Sequence, residues 1–166
     1  MQRVRTRQLP NIMGLGGAVA GFLAGIVMIV LSPVLSLLTG IGIWVPPKMI
    51  AATVLGPSVA ETPGFELVPV MVGGGLHLVT SVVLGLIFGL VFNRVFHVTT
   101  DFGTPLLLGL CYGLLIFVLA YAVILPVINP MLGSSWVAPL IAQNMVFGIC
   151  LGGFYTLLRP RPYDET

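Results

Sequence analysis

Charge is what this chain has least of. Only 7% of its 166 residues are charged, 57% are hydrophobic, and the mean hydropathy is +1.10. An ordinary soluble domain carries about 25% charged residues, and a soluble fold of this size could not hide so much apolar surface. The composition therefore excludes a soluble globular protein and points to an all-α, polytopic membrane protein. The formal net charge of +2 is too small for nucleic-acid binding, so no such partner is expected. Cysteine is scarce too. Cys111 and Cys150 lie in apolar runs with neither a disulfide framework nor metal-ligand spacing, and read as small hydrophobes. Acids are missing where a pump or proton-coupled carrier would need them. Glu61, Glu66, Asp101, Asp164 and Glu165 all fall in loops or tail. No phosphate-cradling glycine loop, Ser/His/Asp arrangement or metal motif occurs on an aqueous side, so neither an enzyme nor a metal site is expected.

What is present is length. Four apolar runs, about 14–38, 68–92, 105–125 and 137–158, reach the roughly 20 residues a bilayer demands. They form one transmembrane domain over 1–166, read as two hairpins. Thr104 reads as an N-cap with Pro105 at the first helical position, Pro33 as a kink in span one, and "LLRPRP" as the stop of span four. Arg3, Arg5, Arg7, Arg94, Arg159 and Arg161 fall on one side of the four-span scheme and only Lys48 on the other, which places both termini in the cytoplasm. Span one reads as retained rather than as a signal peptide, because its apolar run is long and no small-x-small cleavage site follows. The outer loop of about 39–66 contains "WVPPKMIAATVLGP". The piece over 47–56 makes roughly ten residues of helix, half the length needed to cross, and reads as an interfacial or re-entrant helix. Trp44 and Lys48 suit the headgroup boundary.

Small residues recur at four-residue spacing: Gly17, Gly21 and Gly25 in span one; Gly85 and Gly89 in span two; Gly109 and Gly113 in span three; Gly148 and Gly152 in span four. Such rows let helices approach closely in lipid. In span two the row also holds His77, Ser81, Asn93 and His97. "TSVVLGLIFGLVFN" from Thr80 lies on "QNMVFGICLGGFYT" from Gln143 without gaps, and "LGGAVAGFL" from Leu15 lies on "LLGLCYGLL" from Leu107. Spans one and three then correspond, as do two and four, which suggests a duplicated hairpin.

One polar level stands out. His77 lies about 13 Å inside span two, Thr80 and Ser81 one turn deeper, and Gln143 and Asn144 about 10 Å into the parallel span four. Ser32 and Tyr121 approach from the other two spans. Each such group needs a partner, and they are expected to bond one another, His77 to Gln143, Asn144 or Ser81. The cluster is either interhelical glue or a site opening outward for a quinone head group, a proton or a small solute. His77 and His97 stand ~30 Å apart along one helix and cannot share a metal.

The basic start, the glycine-rich first span, "GIWVPPKMIAATVLGP" and "GLHLVTSVVLGLIFG" together resemble a group of small uncharacterised four-span bacterial membrane proteins. The resemblance covers the first two spans and outer loop. It implies the four-span fold and a bacterial inner membrane, and brings no activity or site residue. The function expected is an accessory, structural subunit of a larger, bioenergetic membrane complex, in contact with lipid and with other membrane subunits. The alternative is a transporter or channel acting as a homo-oligomer, and the third reading a lipid- or quinone-binding protein. No cofactor is expected, with quinone or lipid as the candidates if one exists.

Overall fold

The computed structural model describes residues 12–96, 103–128 and 137–158. All elements among them are helical: α1 (Ile12–Leu38), α2 (Val45–Leu55), α3 (Ser58–Glu61), α4 (Leu67–Phe96), α5 (Gly103–Leu119), a π-turn (Ala120–Ile124), α6 (Leu125–Ile128) and α7 (Val137–Leu158). Among the described residues four helices are long and apolar enough to cross a membrane: Leu15–Leu38, Leu67–Phe92, Gly103–Val127 and Val137–Leu158. The polar tails and the loops around 97–102 and 129–136 lie outside the described residues, and with them His97, Asp101 and the tail prolines.

Local chemistry sets the ends. Pro46 and Pro47 open α2, where their fixed φ suits a first turn and their missing N–H costs nothing. Gly56, at φ 93°, closes it and returns its N–H to the Ala52 carbonyl. Pro33 sits within α1 without ending it. Helix α5 begins at Gly103, so Thr104 falls inside the first turn instead of capping it. The π-turn has a visible cause. Pro126 has no N–H to give one turn back, and the Leu125 N–H reaches five residues back to the Ala120 carbonyl.

Two glycine seams hold the molecule together. A Cβ on Gly17 would overlap the Gly85 carbonyl and lie 2.8 Å from Gly89 Cα. One on Gly21 would overlap the Ser81 carbonyl and lie 2.8 Å from Gly85 Cα. Gly25 reaches Ser81 and Leu78. The register falls on α4 as it rises on α1, so the two helices are antiparallel. In the second seam Gly109 meets the Gly148 carbonyl and Gly152 Cα, and Gly113 meets the Asn144 carbonyl and Gly148 Cα. The alignment that lays Thr80 on Gln143 and Leu15 on Leu107 maps one set of contacts onto the other. Residues 17, 21, 81, 85 and 89 become 109, 113, 144, 148 and 152.

The core lies between the seams: Ala20, Ala24 and Met28 of α1, Phe88 and Phe92 of α4, and Phe147, Leu151 and Tyr155 of α7. Phe88 stands 5.3 Å from Tyr112 and 5.6 Å from Tyr155, ring centre to ring centre, and Phe92 5.2 Å from Tyr155. Large apolar side chains also face outward on every span, among them Phe22, Ile26, Val79, Val83, Leu115, Val118 and Leu157. In water that would be a sticky surface far beyond what a monomer tolerates; in hydrocarbon it carries no penalty.

Candidate functional site

His77 comes from the glycine face of α4, and that face meets α1. Its Nε2 lies 3.2 Å from the Gly25 carbonyl. A carbonyl only accepts, so Nε2 carries the proton. The partner is therefore a backbone oxygen on α1, not Gln143 or Asn144 on α7 as the shared depth suggested. The physical reason is that residues four apart share a face. His77 follows Ser81 and Gly85 toward α1, where Gly25 has no side chain to shield its carbonyl. Ser81 is 3% exposed and donates from Oγ to the His77 carbonyl at 2.8 Å, within its own helix. Its equivalent Asn144 does the same, Nδ2 donating to the Leu140 carbonyl at 2.8 Å.

The remaining cluster residues stand apart from this pair. Tyr121 lies on the π-turn, exposed, with its ring stacked on Phe117 at 5.7 Å. Ser32 is half-buried and gives its carbonyl to Ser36 Oγ at 2.8 Å. Thr80 is exposed on the span surface. Gln143 keeps Nε2 buried without an acceptor. A group missing from the sequence reading, Tyr112, donates its hydroxyl to the Leu84 carbonyl at 2.9 Å and so fastens α5 to α4. The glycines Gly17, Gly21, Gly25, Gly85, Gly89, Gly109, Gly113, Gly148 and Gly152 all lie at helix crossings.

The outer loop holds the other polar centre. Lys48 does not reach to headgroups; it is 1% exposed. Nζ donates to the Thr62 carbonyl at 2.6 Å, Thr62 Oγ1 at 2.7 Å and the Gly64 carbonyl at 3.4 Å, with the Glu66 carboxylate 3.7 Å away. These oxygens replace the water a buried ammonium loses. The reversal has a backbone cause: Gly64, at φ 82°, turns the chain so that carbonyls 62 and 64 both face the lysine. Trp44 stays at the rim, edge-on to Phe65 at 4.8 Å. Beneath them the Pro47 carbonyl presses directly on Gly73 of α4. The run Gly73–Gly75 carried a signal for that approach, since only glycine lets a second backbone come so near.

Between α4 and α5 runs an apolar groove of about 190 Å³, lined by Phe88, Val91, Phe92, Leu108, Cys111, Tyr112 and Leu115. Among the described residues no three His, Cys, Asp or Glu side chains come together as a metal set. No protein-family model, curated protein or solved structure matches the chain.

Proposed function

We propose that the protein is a structural, accessory subunit of a larger membrane assembly, without catalysis of its own. The observation that carries this reading is where the polar side chains of the spans go. His77, Ser81, Tyr112, Asn144, Thr156 and Ser36 are each bonded to a backbone carbonyl. Those of His77 and Tyr112 fasten one helix to another, the other four turn back on their own helix, and all six leave little with which to grip a polar solute. The reading includes two antiparallel hairpins derived from one, in a bacterial inner membrane, with both termini cytoplasmic by the positive-inside rule. It also makes α2 re-entrant. Pro47 docks at Gly73, six residues inside α4, which is ~9 Å below the start of that helix.

Two measurements test it. The protein extracted with its native lipid is expected as part of a particle with other polypeptides in fixed ratio. A pure homo-oligomer would favour the transporter reading instead, and a monomer would contradict both. For orientation, a cysteine at Ser58 is expected to react with an impermeant reagent from outside and one at Thr100 is not. The opposite pattern would reverse the topology.

The third reading, a lipid- or quinone-binding protein, has one observation in its favour, the lateral groove between α4 and α5. An apolar cavity of about 150 Å³ stays dry and accepts an apolar guest, so the groove suits a length of acyl or isoprenoid chain and not a polar head group.

A further inference from the structure

We propose that α2 is a hinged lid over the His77 locus, and that the oxygen cage around Lys48 is its latch. The inference stands apart from the accessory-subunit reading; it uses only the spans and the outer loop.

Three observations converge. The first is position. Pro47 rests on Gly73, and Gly73 lies four residues before His77, one turn above it on the same face of α4. Helix α2 also packs against α1, whose Gly25 supplies the carbonyl to His77. The short helix thus sits above the point where α1 and α4 share their polar contact.

The second is the way α2 is hung. Glycines with positive φ bracket it: Gly40 at 71° before, Gly56 at 93° after, and Gly64 at 82° where the loop enters α4. A Cβ at any of the three would meet nothing within 4 Å, so no packed side chain braces these joints. Pro46, Lys48, Met49 and Ala51 face inward while Val54 and Leu55 face outward. The helix is seated by one face, with Trp44 at its N-terminus edge-on to Phe65.

The third is the latch. Lys48 ties α2 to the 62–66 segment through side-chain hydrogen bonds and an ion pair. Its acceptors stand at the rim: Thr62 is exposed and the Glu66 side chain 38% exposed. With the lid down, the carbonyls, hydroxyl and carboxylate replace the hydration of the ammonium; with the lid up, water does. Both states satisfy the charge, the condition for a two-position element. The second half of the chain offers no counterpart of Lys48, and Leu140 stands there in place of His77.

The test uses the full chain in nanodiscs, where both faces meet the reagent and orientation plays no part. His77→Cys is built on Cys111→Ser, with Cys150 kept as a reporter of the intact bundle. A membrane-impermeant thiol reagent is added and each site is followed by mass spectrometry. With Lys48 present, position 77 is expected to react slowly. Lys48→Ala, which keeps a good helix former in α2, is expected to raise that rate roughly tenfold while Cys150 stays unchanged. Ethylammonium, the missing headpiece supplied free, is expected to restore part of the protection. Fast labelling with Lys48 in place, or equal rates with and without it, would overturn the lid. Should Cys150 also begin to react, the bundle itself has loosened, and Glu66→Gln and Thr62→Val decide. A rise at position 77 with Cys150 silent supports the latch, and an unchanged rate refutes it. Either result leaves the particle composition untouched, so a failure of the lid is distinct from a failure of the subunit reading.

Discussion

The two halves of this molecule use one seam twice and finish it differently. In both, a glycine pair on the first helix of the half, Gly17 and Gly21 or Gly109 and Gly113, lies against backbone on the second, and a polar residue at the crossing, Ser81 or Asn144, bonds back to its own helix. Among the described residues, the first half carries a side-chain bond between its first helix and its second, His77 to Gly25, and a short helix, α2, packed on α4. At the equivalent positions the second half has Leu140 and Phe117, and Phe117 stacks on Tyr121 beside a π-turn. What recurs is backbone meeting backbone with no side chain between. What does not recur is the polar contact. The difference teaches that the seam is sufficient to pair helices in this chain, and that His77 is an addition to it.

The comparison breaks most severely if the seam is forced open. Gly85→Leu and Gly148→Leu are each expected to prevent assembly of the bundle. A branched side chain there meets the carbonyls of Gly17 or Gly109, which cannot swing away as side chains do. Monodispersity on size-exclusion chromatography reads the outcome, and a well-assembled variant in one half alone would show that the halves are not equivalent. A smaller effect sharpens the contrast. His77→Leu is expected to cost about 1 kcal/mol in a denaturation titration, while His77→Gln, which can still donate to Gly25, costs less. The converse substitution, Leu140→His, should yield no gain, because Phe117 occupies the place of Gly25. Smallest of all is Leu86→Phe. That side chain is 38% exposed on the span surface, and the change is expected to stay within about 0.5 kcal/mol.

Span number and extent were legible because hydrocarbon imposes one plain requirement, some twenty apolar residues in a row, and four runs meet it. The glycine rows were legible as packing surfaces for a related reason: lipid leaves little but close approach to draw helices together. The contacts of His77 were not. Sequence displays side chains, whereas the acceptor is the carbonyl of Gly25, a group every residue carries. Lys48 misled in a similar way. A lone cation beside Trp44 reads as a headgroup anchor, and nothing in its type says that carbonyls 62 and 64 turn toward it once Gly64 adopts a positive φ. Tyr121 shares a nominal level with His77, yet depth along a helix fixes height and leaves direction open, and its ring lies on Phe117.

Helix α4 contains its own control for the claim that backbone contact at glycine holds the bundle. Gly85 and Gly75 lie on one helix. A Cβ at Gly85 would overlap the Gly17 carbonyl and stand 2.6 Å from Gly21 Cα; one at Gly75 would meet nothing within 4 Å. Stability of the two alanine variants in bicelles, titrated with a denaturing detergent, separates seam from helix propensity. The account expects opposite signs. Gly75→Ala gains about 0.5–1 kcal/mol, as a glycine in a helix does when it becomes alanine. Gly85→Ala loses about 1–3 kcal/mol, the cost of overpacking, with Gly148→Ala losing a similar amount in the other half. A Gly85→Ala variant as stable as Gly75→Ala would contradict it, for the seam would then not be what holds α1 to α4.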